Sequence, residues 1–172
     1  MKIENLPADT RLDTLGIPEL DVVLDEIFFI PTHSFIKDRP KTPQTIGELI
    51  AVSPVKPSKV VHLLKWVIEL AKDCAITASD FKNTLALEDN DAIILDVRNE
   101  EGRKGREISG AVCTWTINWD EWIPKIKNSQ NVIVICNEGK RSFSAAMQLR
   151  DELSITHTKY LAGGVSQLEQ IK

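Results

Sequence analysis

Short runs of branched apolar residues alternate with segments of helical periodicity from residue 74 to the C-terminus. Four runs are predicted as strands: "DAIILDV", "GAVCTWTI", "NVIVIC" and "KYLAGG". The apolar residues of "DAIILDV" are continuous rather than spaced by polar ones, which is typical of a strand buried on both faces of a sheet. Strands that alternate with helices predict an α/β fold with a parallel sheet and helices on both faces.

The segments between these runs predict three short helices. "AITASDFKNTLALE" contains Thr77-x-x-Asp80, a pattern typical of a helix N-terminus. "EWIPKIKN" predicts a short helix that Pro124 breaks, because proline lacks the backbone N–H. "SFSAAMQLRDEL" predicts a helix that begins near Ser142, and four of its residues are expected to face the sheet: Ala145, Ala146, Leu149 and Leu153.

Residues 1–73 differ from residues 74–172 and are interpreted as a separate, proline-rich helical segment. Their strongest element is "KPSKVVHLLKWVIELAKD", predicted as an amphipathic helix with Ser58 as its cap and His62 on the solvent face. Its apolar face consists of Val60, Leu63, Leu64, Val67 and Ala71. We expect this segment to dock on the second domain or on a protein partner. "TIGELIAVSPVKPSKVVHLLKWV" also resembles a helix-turn-helix.

Charge and composition argue against several classes of partner. The chain has 21 Lys and Arg residues against 25 Asp and Glu residues and no dense basic run, so nucleic acid is not the expected partner. Its apolar stretches are too short to cross a bilayer and the N-terminus lacks a signal peptide, so we expect a cytoplasmic protein without membrane contact. Three cysteines at unrelated spacings predict neither disulfides nor a metal site, and no cofactor is expected.

Cys136 is the residue that most suggests chemistry. It stands where the run "VIVI" ends, and in open parallel sheets binding sites lie beyond the carboxyl ends of the strands. Gly139 allows the following loop to curl around the sulfur, with its backbone N–H groups pointing inward. These donors, the start of the next helix, and Lys140 or Arg141 favour a thiolate. No pairing with Cys136 is apparent for the three histidines, which are His33, His62 and His157.

Other residues of the second half have less specific interpretations. A cysteine at the end of a buried strand often serves only as a small apolar residue, and that interpretation of Cys136 stays open beside the functional one. Cys113 could resolve an oxidised Cys136 or be an ordinary buried thiol. Asp96 is interpreted as a structural hydrogen-bonding residue, and Arg98 as either its ion-pair partner or a residue that faces the site. Three tryptophans are expected to pack in the core: Trp115, Trp119 and Trp122.

Residues from about 75 to 172 resemble the rhodanese-like sulfurtransferase family. The resemblance is carried by "ILDVR", "SGA", "CNEGKRS" with the following "AAMQLRDEL", and "YLAGG", in the order of the family. It implies a six-residue active loop in which the catalytic Cys136 accepts a sulfur as a persulfide and passes it on. It also implies a small donor such as thiosulfate and a thiol, cyanide or protein acceptor. Donor binding would involve Asn137, Glu138, Gly139, Lys140, Arg141, Ser142 and Arg98.

Departures from the family pattern keep other functions open. The chain reads "GRKGREISGA", with Arg106, Glu107 and Ser109 where the family typically has Gly, His and Pro. A non-catalytic rhodanese-like binding module is therefore the main alternative. Phosphatases and arsenate reductases of related fold resemble each other in placing arginine six positions after the cysteine. Here Arg141 comes five positions after Cys136, which favours sulfur transfer over phosphate chemistry.

Overall fold

The computed structural model describes residues 7–15, 17, 20–28, 30, 41–87 and 91–168. The chain divides into two compact units, Met1–Asp73 and Cys74–Lys172. Among the described residues, no helix is long and apolar enough to cross a membrane. His33 lies outside the described residues.

The first unit is helical in its described part. A 3₁₀ turn spans Leu12–Leu15, and helix α1, Leu20–Val22, continues as a π-helical turn over Val23–Ile27. Helix α2 spans Ile46–Val52 and helix α3 spans Pro57–Cys74. Four residues therefore separate α2 from α3.

Helix α3 confirms the predicted amphipathic helix, with one correction at its start. Val60, Leu64, Val67 and Ala71 are buried, whereas His62 is exposed as predicted. The helix begins at Pro57, so Ser58 lies inside the first turn and the prediction of Ser58 as the cap was wrong. Proline suits the first helical position because its φ is already helical and its missing N–H would have no partner there.

Helix α2 was not predicted, although the sequence carries its signal. Thr45 caps it by accepting a hydrogen bond from the Glu48 N–H at 3.2 Å, and Glu48 accepts the Gln44 N–H at 2.6 Å. This reciprocal pattern needs Thr-x-x-Glu, which "TIGE" supplies.

The second unit contains a parallel sheet that, within the described residues, has five strands. Its strands are β1 (Ala75–Ile76), β2 (Ile93–Asp96), β3 (Val112–Cys113), β4 (Val132–Ile135) and β5 (Thr158–Leu161), in the spatial order β1-β5-β4-β2-β3. The predicted parallel α/β fold is confirmed. Strand β1 was missed because its two residues were read as the start of a helix, and "GAVCTWTI" yields only the two residues of β3.

Helices cover both faces of this sheet. Helices α4 (Ala78–Leu85), α5 (Glu100–Arg103), α6 (Trp119–Asn128) and α7 (Lys140–Asp151) are followed by a 3₁₀ turn at Val165–Gln167. Phe81 of α4 packs with Ile133 and Ile135 on one face. Phe143 of α7 lies edge-on to Tyr160, at 5.1 Å between ring centroids. Tyr160 is paired with Val134, which alternates with Ile133 and Ile135 along β4, so α7 covers the opposite face.

The helix boundaries confirm some predictions and correct others. The Thr77 cap of α4 is confirmed, since Thr77 Oγ1 accepts the Asp80 N–H at 3.1 Å. Helix α6 is not broken at Pro124, its sixth residue, because the missing N–H removes a single helical bond, to the carbonyl of the exposed residue Asp120. Helix α7 begins at Lys140 rather than near Ser142, and Leu153 lies beyond its end.

A candidate active site at the carboxyl end of the sheet

Cys136 lies where β4 leaves the sheet, between β4 and the first turn of α7. The strand pairing extends one residue further, because the Val97 N–H donates to the Ile135 carbonyl at 3.0 Å. The chain then turns sharply at Gly139, which has a left-handed φ of 94° and caps α7. A glycine is favoured in this conformation because a Cβ would strain it. The turn aims the first amides of α7 back at residue 136.

The sulfur of Cys136 accepts hydrogen bonds from two backbone amides. The N–H groups of Gly139 and Ser142 donate to Sγ at 3.1 and 3.4 Å, and Ser142 Oγ lies 3.3 Å from Sγ. Cys136 is only 3% exposed, so these dipoles act on the sulfur with little screening by water. The arrangement stabilises negative charge on sulfur, as the positive end of α7 does.

Ser142 can support the sulfur in two ways with its single hydroxyl proton. Its Oγ lies 2.9 Å from the Gly139 carbonyl and 3.3 Å from Sγ, and the residue is fully buried. When the hydroxyl donates to the carbonyl, Oγ can accept the thiol proton. When the sulfur is a thiolate, rotation of the hydroxyl turns the same proton towards Sγ. The site therefore accommodates both protonation states of Cys136 without moving the backbone.

The segment after β5 supports the loop from behind. The Val165 N–H donates to the Cys136 carbonyl at 2.8 Å, and the Ser166 N–H donates to the Asn137 carbonyl at 3.0 Å. Gly164 lies against the same peptide, since a Cβ there would come within 2.3 Å of the Asn137 carbonyl oxygen. The glycines of "YLAGG" thus allow close approach of two backbones. This motif was predicted as the end of a strand and as part of the family resemblance, and Gly164 was not predicted as part of the site.

The other predicted loop residues differ in exposure. Glu138 and Arg141 are exposed, and Lys140 is half-buried at the first position of α7. Asn137 is half-buried and its side chain faces α5, where a Cβ built at Gly102 would lie 3.1 Å from Asn137 Nδ2. The structure thus brings the six residues from 137 to 142 together around Cys136, with charged side chains on the outside and amides on the inside.

Arg98 is placed beside this loop rather than in it. It is 1% exposed, and its guanidinium pairs with Asp96 through Nη2–Oδ2 at 2.8 Å and Nε–Oδ1 at 2.9 Å. It also donates to the carbonyls of Arg106 at 2.9 Å and Gly102 at 3.4 Å. Arg98 therefore links α5 and the segment after it to the end of β2. Gly102 of α5 in turn lies against the side chain of Asn137.

Glu107, at the position where the family typically has histidine, closes a turn. Its carboxylate accepts the Gly105 N–H at 3.1 Å. Hydrogen bonds from its own amide and from Gly105 lower the pKa of Glu107, against the opposing effect of desolvation. The turn keeps this support at neutral pH and loses it only as the pH falls through the lowered pKa.

Cys113 is too far from Cys136 for a direct disulfide. Asp96 pairs with Ile135 on one side and with Cys113 on the other. Two strand spacings of about 4.8 Å place Ile135 and Cys113 about 10 Å apart. A disulfide needs Cα atoms within about 7 Å. The structure does not support the hypothesis that Cys113 resolves an oxidised Cys136.

The fold and the site define an α/β domain that presents one cysteine in a tight backbone loop at the carboxyl end of a parallel sheet. The family model of the rhodanese-like domain matches residues 77–170, more than half of the chain. The chain therefore belongs to the rhodanese-like family. Comparison with curated proteins finds no match.

Proposed function

We propose that the protein is a sulfurtransferase that carries a sulfane sulfur as a persulfide on Cys136. The Cys136 thiolate attacks the outer sulfur of a donor such as thiosulfate, the S–S bond of the donor breaks, and sulfite leaves with the electron pair. An acceptor thiolate or cyanide then attacks the outer sulfur of the persulfide. The new bond forms as the Cys136–sulfur bond breaks, which returns the electron pair and the negative charge to Cys136.

The proposal rests chiefly on the hydrogen bonds from Gly139 and Ser142 to Sγ, at 3.1 and 3.4 Å. Cys136 must carry negative charge before the first step and after the last, and these fixed donors stabilise it in both states. The family membership supports the same chemistry. Lys140 and Arg141, at the outer side of the loop, offer positive charge to the sulfonate end of thiosulfate, partly offset by the exposed Glu138.

The first prediction concerns the mass of the protein after exposure to a donor. Incubation of the full chain with thiosulfate should add one sulfur, about 32 Da, and Cys136→Ser should abolish the addition because the other two thiols, Cys74 and Cys113, lack the loop. Intact-mass spectrometry before and after cyanide treatment measures this, since cyanide should remove the added mass as thiocyanate. Addition that survives Cys136→Ser would contradict the proposal.

A non-catalytic binding module is the second candidate, favoured by the 3% exposure of Cys136. A buried thiol serves packing as well as chemistry. Absence of added mass with thiosulfate and with polysulfide, in protein whose Cys136 reacts with a small alkylating agent after unfolding, would favour this candidate.

A further inference from the structure

Trp115 is exposed in a way that neither the fold nor the proposed chemistry explains. It is 71% exposed, more than any other large apolar residue in the described part of the chain. The sequence predicted that it packs in the core, and that prediction was wrong. Trp122 differs, because it is half-buried and Lys125 Nζ lies 4.7 Å from the centroid of its ring.

The exposed indole is nevertheless held in one orientation at the carboxyl edge of the sheet. The Thr114 N–H and hydroxyl both donate to the Asp96 carbonyl, at 3.1 and 3.2 Å, and hold the chain after β3 against the end of β2. The Trp115 Nε1–H then donates to the Val97 carbonyl at 3.2 Å. A ring that is already oriented loses little further rotamer entropy when a ligand packs on it.

Val97 also links this ring to the strand that carries the cysteine. Its own N–H donates to the Ile135 carbonyl, directly before Cys136. Trp115, Val97 and Cys136 therefore lie in succession across the ends of three neighbouring strands, β3, β2 and β4. The anchored edge of the indole lies at Val97, at the end of β2, so one strand spacing of about 5 Å separates it from the strand end at Cys136. The buried nucleophile and the exposed ring thus lie on one edge of the sheet.

From this geometry we infer that Trp115 selects the sulfur acceptor, and that the acceptor is a cysteine in an extended polypeptide segment with an apolar side chain nearby. The inference rests on the proposed persulfide chemistry. Cyanide and other small acceptors reach the outer sulfur without touching the indole. An extended chain advances about 3.3 Å per residue and its side chains alternate between two faces, so a side chain two residues from the attacking cysteine lies on the same face, about 7 Å away, within reach of the ring. Tryptophan is also enriched in surfaces that bind polypeptides.

The test compares two peptides that differ only at the position two residues from their single cysteine, where one carries leucine and the other serine. Full-length protein is first loaded with sulfur from thiosulfate, and loading on Cys136 is checked by intact mass. Transfer to each peptide and to cyanide is then measured as kcat/KM. We expect Trp115→Ala to lower the ratio of kcat/KM for the leucine peptide to that for cyanide about tenfold. Trp115→Phe should restore part of this ratio, since it keeps an aromatic face.

Trp119 provides the matched control, because it is also exposed, at 38%, but it is the first residue of α6, whereas the Trp115 indole is hydrogen-bonded to the Val97 carbonyl. Trp119→Ala should leave the ratio unchanged. Equal rates for the two peptides with wild-type protein, or an equal loss for cyanide and the leucine peptide with Trp115→Ala, would overturn the inference. A ratio lowered as much by Trp119→Ala would also overturn it.

A binding measurement separates failure of the inference from failure of the proposed function. The leucine peptide with its cysteine replaced by serine is titrated into the full chain by calorimetry. If thiosulfate adds no sulfur, the sulfurtransferase proposal fails. The polypeptide-binding role of Trp115 then stands if Trp115→Ala weakens this binding and Trp119→Ala does not, and it falls if both variants bind like the wild type.

Discussion

At the scale of single residues, two backbone amides and one hydroxyl, rather than charged side chains, form the environment of the sulfur. Two amides contact Sγ, and the charged side chains of Glu138 and Arg141 point to solvent. Such a site depends on the path of the main chain and therefore on its glycines. Gly139 provides the turn, and Gly164 allows the segment after β5 to lie directly against the loop.

Gly164→Ala tests that dependence. The new Cβ would lie 2.3 Å from the Asn137 carbonyl oxygen and 2.4 Å from the Glu138 nitrogen, and the backbone there has a φ of +67°. We expect the free energy of unfolding to fall by about 2–4 kcal/mol, from backbone strain plus the displaced contact. Sulfur loading should slow at least tenfold, because displacement of the Asn137–Glu138 peptide disturbs the turn at Gly139. Thermal melts and intact-mass time courses measure both effects.

Gly110→Ala is the matched control for this substitution. Gly110 has a similar φ of +76°, but a Cβ there meets nothing within 4 Å. Its cost should be the backbone strain alone, about 1–2 kcal/mol, with normal sulfur loading. Equal losses of loading in the two variants would show that Gly164 acts through general stability and not through the loop.

At the scale of elements, the register between the loop and α7 decides which groups reach the sulfur. Because α7 begins at Lys140, Arg141 and Ser142 belong to its first turn and not to a flexible loop. An N-terminal helical turn orients its amides rigidly, so Ser142 presents both its N–H and its hydroxyl to Sγ. The six-residue spacing from Cys136 to Ser142 is thus a property of the helix start.

Insertion of one glycine between Lys140 and Arg141 should therefore disable the site. The insertion moves Ser142 by one residue around the helix, about 100°, and removes it from Sγ. We expect sulfur loading to fall at least tenfold. Insertion of one glycine after Asn128, at the far end of α6, is the control.

We also expect the unmodified protein to show only background hydrolysis of an aryl phosphate. Phosphatase turnover of the wild type that depends on Cys136 and matches its sulfur transfer would contradict the assignment.

Some of these elements could be predicted from the sequence and others could not. The buried strands and α7 were predicted because their apolar patterns are continuous or periodic, and the position of Cys136 followed from the end of "VIVI". Strand β1 escaped prediction because two residues carry no periodicity, and β3 was predicted longer than the two residues that the structure gives it. Trp115 was misplaced because an aromatic residue next to a strand usually packs, and only the tertiary position of the Val97 carbonyl gives its indole a partner at the surface. From the sequence, Arg98 could either pair with Asp96 or face the site, and the structure shows that its buried guanidinium pairs with Asp96.

At the scale of the whole molecule, the described groups that surround the sulfur belong to the second unit. Cys136, the α7 turn that donates to it, and the segment around Gly164 that supports it all fall in Cys74–Lys172. The apolar cluster under the sheet is formed by residues of the same unit, including Phe81, Ile133 and Leu161. The first unit has its own buried residues, among them Leu12, Leu49 and Leu64.

Residues 74–172, produced alone, should therefore fold and accept sulfur. A single unit of about 100 residues with its own core is large enough to fold independently. We expect persulfide formation on Cys136 with thiosulfate at a rate within threefold of the full chain, and a cooperative thermal transition. Circular dichroism and intact-mass time courses on both proteins provide the comparison, with Cys136→Ser in the fragment as the control. A fragment that folds cooperatively but loads sulfur more than tenfold more slowly would contradict this prediction and would assign residues 1–73 a part in the reaction.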